Sequence, residues 1–126
     1  MTNLSLTFPA DDEYGHALRA EVRAWCARED LSPDLCEDTL LTVSELFSNA
    51  ARASVAGYNV HIRIGATTNE LTIAVENTGA GFDPALLPEP SATQHGGRGI
   101  AIAQVLGIVA VEQVDQQTTV RVQIMR

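Results

Sequence analysis

Glu45 and Asn49 stand four residues apart in the stretch ELFSNAARAS (45–54), the spacing that stacks two side chains on one face of a helix. Their neighbours Leu46, Phe47 and Ala50 are apolar, and a carboxylate is rare on a core-forming segment unless something compensates it. A carboxylate beside a neutral carboxamide suits phosphoryl chemistry. The amide oxygen can ligand Mg²⁺, a hard cation that prefers oxygen and takes few protein ligands. The carboxylate can orient or deprotonate a hydroxyl or a water. By itself, the pair favours the plainer reading, a solvated polar stripe on an amphipathic helix. Thr42 and Arg52 lie close to the same stripe.

Two other segments carry polar groups in a pattern that could serve a ligand. In VENTGAGF (75–82), Gly79 and Gly81 permit close backbone approach, and Asn77 stands where a strand gives way to a loop. Its amide could both accept from and donate to a base, although a glycine-rich turn leaving a hairpin reads the same way. In HGGRGIAIAQVLG (95–107), glycines precede an apolar helical run, leaving the first N–H groups of that helix open to an anion, with Arg98 beside them. The pattern is not GxGxxG and follows no strand directly, so it is not a dinucleotide fingerprint; a loop entering a buried helix is the plainer alternative.

The elements that must position these segments follow from hydrophobic period. LSLTF (4–8) alternates as a short strand and ends at Pro9. Tyr14, Leu18, Val22 and Trp25 recur at helical spacing over residues 12–28. Ser32 followed by Pro33 is a helix start, and Leu40, Val43, Phe47 and Ala50 give that helix a core face to about Ala53. Beyond Gly57 the period becomes two. YNVHIRIGA and LTIAVEN form one hairpin around TTNE, and IVAVEQV and TTVRVQIM form another around DQQ. Between the hairpins lie about twenty residues with little regular pattern, then the short apolar helix. The expected fold is therefore α/β: a two-layer sandwich in which a mixed, mostly antiparallel sheet of about five strands carries three helices on one face. Residues 1–126 form a single domain.

Composition narrows the function classes. Eight basic residues, all arginine, against sixteen acidic ones give a net charge of −8, which disfavours nucleic acid and anionic membrane as partners. The lack of lysine excludes a GxxxxGK[ST] loop. Cys26 and Cys36 form no CxxC, and His16, His61 and His95 are scattered, so no zinc site is expected. No apolar run reaches the ~18 residues of a membrane span, and the N-terminal residues lack a secretory pattern. A cytoplasmic location is the expectation.

Glu45-Leu46-x-x-Asn49-Ala50, NTGAGF (77–82) and GGRGIAI (96–102), in this order, resemble the motifs of the histidine-kinase-like (GHKL, Bergerat-fold) ATP-binding domains, more narrowly the bacterial anti-sigma-factor serine/threonine kinases. The resemblance covers essentially the whole chain. It implies ATP with Mg²⁺ bound between the helical layer and a lid at roughly residues 83–96. Asn49 would ligand the metal and Glu45 would be the general base toward an acceptor hydroxyl. Arg52, Asn77, Gly79, Gly81, Phe82, Gly96, Gly97, Arg98, Gly99, Ile100 and Thr119 would complete the nucleotide site. Implied partners are a sigma factor and a small antagonist protein that is phosphorylated, with a homodimer by family analogy. Asn77 departs from the family's usual aspartate. It keeps one acceptor but loses the charge, which lowers affinity by about 1 kcal/mol. The basic residue or histidine often found after the E-L-x-x-N-A segment is replaced by RASVAG. A non-catalytic regulator with the same fold is the alternative that these departures leave open.

Overall fold

A computed structural model describes residues 2–79 and 108–126. In chain order it contains β1 (Thr2–Pro9), a 3₁₀ turn (Asp12–Tyr14), α1 (Gly15–Arg28), α2 (Pro33–Ala53), β2 (Asn59–Ala66), β3 (Glu70–Thr78), β4 (Ile108–Val114) and β5 (Gln117–Met125). The two hairpins, the leading strand and both long helices fall where the periodicity puts them. The strands form one sheet in the order β1-β2-β3-β5-β4. Every pairing is antiparallel, so the expected mixture of strand directions is corrected. The last hairpin places β5, not β4, against β3, and both neighbours of β5 run opposite to it. The expected third helix lies outside the described residues.

Strict alternation gives the sheet one apolar face. Ile62 and Ile64 of β2 stand in register with Val75 and Ile73 of β3, which in turn face Val120 and Val122 of β5, and Val60 continues the same face of β2. All but the half-buried Val120 are fully buried. Leu4, Leu6 and Phe8 of β1 extend this face and pack against the same core. The helices cover it. Leu18, Val22 and Trp25 of α1 and Val43, Leu46, Phe47 and Ala50 of α2 are buried in one cluster with the strands. The Phe8 and Phe47 rings meet edge to face with centroids 6.2 Å apart, joining the edge strand to α2 in the geometry aromatic quadrupoles favour.

The start of α2 is fixed by local chemistry. Ser32 has extended backbone and its hydroxyl accepts a hydrogen bond from the Leu35 N–H at 3.2 Å, while Pro33 occupies the first helical position. One orphan donor is thereby satisfied and one removed. Replacing Ser32 with Ala should lower the unfolding free energy by about 1 kcal/mol. Urea denaturation followed by far-ultraviolet circular dichroism would register this as a lower midpoint at unchanged slope.

Candidate functional site

The register of α2 decides where its polar residues stand. Thr39, Thr42, Val43, Leu46, Phe47 and Ala50 are buried, so Glu45 and Asn49, one helical turn apart, lie on the flank of the buried face and are each half-buried. Asn49 Oδ1 accepts a close hydrogen bond from the Arg52 guanidinium. The Asn49 amide nitrogen is buried with no hydrogen-bond partner among the described residues, and the Thr42 hydroxyl on the same flank is in the same condition. A buried donor left unpaired costs about 1–3 kcal/mol, and such groups are uncommon enough to require an explanation. Here the explanation on offer is a contact that the described residues do not themselves make.

The second part of the site is built by backbone. The C-terminal end of α2 is stitched to the end of β3: Ser54 bridges Gly79, and the Val55 N–H donates to the Thr78 carbonyl at 2.8 Å. The Ser54 hydroxyl turns back to the Ala50 carbonyl at 2.7 Å. From the other side the Gly79 N–H donates to Gln116 O at 2.9 Å, in the turn of the β4–β5 hairpin. Gly79 is thus held between a helix end and a hairpin turn. A Cβ at this position would lie 2.2 Å from the Ala53 carbonyl oxygen and 3.2 Å from Asn77 Nδ2, so only glycine fits. Asn77, on the core face of β3 and only 5% exposed, is thereby brought beside the last turn of the helix that carries Glu45 and Asn49.

One sequence expectation is corrected here. Thr119 pairs in register with Glu76, on the sheet face turned away from the helices, and its hydroxyl donates to Glu76 Oε2 at 3.3 Å. The residue opposite Asn77 is Thr118, buried on the helix-facing side. The period of two moves a side chain to the other face with each residue, and adjacent threonines in QTTVRV give no signal of which one points inward. Asn49, Arg52 and Glu45 share one flank of α2, and Asn77 and Gly79 close its end. Gly81, Phe82, Gly96, Gly97, Arg98, Gly99 and Ile100, with the expected lid, lie outside the described residues.

The donor set fits a magnesium-nucleotide ligand in kind. No group of three or more histidine, cysteine, aspartate or glutamate side chains stands together as a metal cage among the described residues. Mg²⁺ does not need one, since it usually keeps several waters and takes one or two protein oxygens plus phosphates. Asn49 Oδ1 is such an oxygen, and it faces a cation, the Arg52 guanidinium. Among the described residues, no helix is long and apolar enough to cross a membrane.

Comparison with known proteins agrees with this geometry. The model of the histidine kinase-like ATPase domain family matches residues 8–124. The chain belongs to this family. Membership implies an ATP-binding, kinase-like domain. Among solved structures, the RsbU and RsbW domains of Rv1364c from Mycobacterium tuberculosis match over 100% of the chain, at 18% identity and a TM-score of 0.71. The chain spans 33% of that protein's length. A blue-light activated histidine kinase of Erythrobacter litoralis matches at 18% identity and a TM-score of 0.58, over 93% of this chain and 61% of the other. The Acinetobacter baumannii histidine kinase AdeS does so at 15% identity and a TM-score of 0.59, over 99% of this chain and 68% of its own. At these identities the likeness is one of fold. No curated protein matches the sequence significantly.

The constraint at Gly79 is testable apart from any ligand. Gly79→Ala forces the helix end and the strand end apart, and should destabilise the domain by at least about 2 kcal/mol, as overpacking against rigid backbone does. A mutant melting within a degree of the wild type would contradict the close approach.

Proposed function

We propose that this domain binds ATP with Mg²⁺, transfers a phosphoryl group to a serine or threonine of an antagonist protein, and sequesters a sigma factor. The observation that carries the nucleotide part is the desolvated Asn49 amide on the flank of α2, one turn from a carboxylate, in a chain of the histidine kinase-like ATPase family. The resemblance of the three motifs to anti-sigma-factor kinases, together with a structural neighbour containing an RsbW domain, supports the regulatory part.

In this reading each side chain has a separable task. Asn49 offers its amide oxygen to the metal and its unpaired N–H to a phosphate oxygen. Arg52, which holds that oxygen in the free protein, would turn to the phosphates and so exchange a neutral amide acceptor for an anionic one, a stronger partner. Bound Mg²⁺ supplies neutralisation of phosphate charge. Glu45 accepts the proton of the acceptor hydroxyl and orients its lone pair. Asn77 accepts from an exocyclic amine on the base, with the Thr118 hydroxyl opposite it and Gly79 keeping the wall of the pocket flat. Gly81, Phe82, Gly96, Gly97, Arg98, Gly99 and Ile100 retain the roles that the resemblance gives them. A homodimer and a cytoplasmic location belong to the same proposal.

One observation favours a second reading. Asn77 is almost fully buried, so the neutral amide is the group a base would meet, and the charge-assisted bond of an aspartate is missing. A regulator that holds its partner with weak or no phosphoryl transfer would tolerate this. Incubation with γ-labelled ATP, Mg²⁺ and a candidate antagonist separates the two. Label on a serine or threonine that disappears in Glu45→Gln supports the kinase, and equal labelling in both proteins, or none, leaves only the binding module.

Nucleotide binding is tested on its own by thermal shift. ATP at ~100 times its dissociation constant should stabilise the fold by ~2.7 kcal/mol, GTP should do much less, and Asn49→Ala should abolish the effect. An unchanged melting temperature at millimolar ATP would sink the assignment. Asn77→Asp should tighten ATP by about 1 kcal/mol, roughly fivefold by calorimetry, while lowering the stability of the nucleotide-free protein by burying a charge.

A further inference from the structure

The seam between α1 and α2 holds a feature that nucleotide chemistry does not use. Cys26 lies in the last turn of α1 and is 3% exposed, and Cys36 lies in the first turns of α2 and is half-buried. The helices are joined by only Glu29–Ser32. That connection is tight: Asp30 takes a left-handed backbone with φ 53, and the Leu31 N–H donates to the Cys26 carbonyl at 3.1 Å. The Cys36 N–H donates to Ser32 O at 2.9 Å. The turn reverses the chain on itself, and both cysteines point into the same core, Cys26 as a member and Cys36 packed against it. Both side chains therefore line the same seam, one on each side of a four-residue reversal.

We propose that Cys26 and Cys36 form a peroxide-sensitive dithiol site that closes reversibly to an intrachain disulfide across the α1–α2 seam. The half-exposed Cys36 is the entry point. Its sulfur attacks a hydroperoxide oxygen, the O–O bond breaks, and Cys36 becomes a sulfenic acid with release of water or an alcohol. The Cys26 sulfur then attacks the Cys36 sulfur, the S–O bond breaks, and the hydroxyl leaves as water with the Cys26 proton. Two thiols are oxidised by two electrons, and one peroxide is reduced. A dithiol such as dithiothreitol reverses the link by thiol–disulfide exchange.

The environment sets the order of events. Burial, with the hydrogen bond from Cys36 and its nearby charge, pushes the Cys26 thiol up to about 12. Cys26 therefore remains a protonated, inert thiol while Cys36 is reduced. The thiolate is the reactive form, so oxidation does not begin at Cys26. Once Cys36 is a sulfenic acid, its sulfur is electrophilic, and the Cys26 sulfur across the seam is the nucleophile that resolves it. The result is a pair in which the buried member responds only after the outer one has reacted. The disulfide would tie the end of α1 to the beginning of α2, the helix that carries Glu45 and Asn49 further along.

The experiment uses the wild-type chain and one cysteine variant and is independent of nucleotide binding. Trypsin cleaves after Arg23, Arg28 and Arg52, which places Cys26 in residues 24–28 and Cys36 in residues 29–52. After treatment with hydrogen peroxide and quenching of free thiols, non-reducing mass spectrometry should show these two peptides joined. The intact chain should be lighter by two hydrogens, and dithiothreitol should restore both. In Cys26→Ala, which keeps a small apolar residue in the core, Cys36 should instead persist as a sulfenic acid trapped by dimedone. If peroxide leaves the wild-type peptides separate, carries Cys36 on to sulfinic acid, or joins only different molecules, the proposal is overturned.

Discussion

The structure depends on one close approach of backbone to backbone, where the end of α2 meets the end of β3 at Gly79. Hydrogen bonding between Val55 and Thr78 and the bridge from Ser54 to Gly79 lock the helix that carries Glu45 and Asn49 to the strand that carries Asn77. Neither element fixes the other by apolar packing alone, because hydrophobic contact is non-directional. Directional backbone bonds set the register, and the missing Cβ allows the distance. The hairpin turn at Gln116 braces the same glycine from the other side, so the distant end of the sheet also bears on the site.

From this constraint follows the character of the α2 flank. A helix lying on a sheet buries one face and exposes the opposite one, and the two flanks between them are half-desolvated. On one flank stand Thr42, Glu45 and Asn49, with two buried polar atoms that have no partner among the described residues. A core would not retain these groups without use, since apolar residues of the same shape would cost less. Arg52 lying on Asn49 is a partial remedy: its guanidinium satisfies the amide oxygen and holds the amide oriented, while the nitrogen finds no partner among the described residues.

The opposite side of α2 does quieter work. There Phe47 packs on Phe8, and Cys36 packs against the core cluster that contains Cys26, across a four-residue connection. The two sides of one helix thus differ in kind, one polar and half-desolvated and the other apolar along the seam with α1.

Much of this was legible in the residues. Alternation along VHIRI, LTIAV and VRVQI determined strands with one apolar face, and Ser32-Pro33 determined where α2 begins. Helical spacing alone placed Glu45 and Asn49 together. These are local properties, written within a few residues of where they act. What the tertiary structure decided is non-local. It paired β5 with β3 and made every pairing antiparallel, turned Thr118 inward and Thr119 toward Glu76, laid Arg52 on Asn49, and gave Gly79 its reason for being glycine. Each of these depends on which segment arrives opposite which, and a one-residue difference in register reverses the face a strand residue shows. Sequence period fixes the faces of an element, whereas the company a face keeps is settled only when the chain closes.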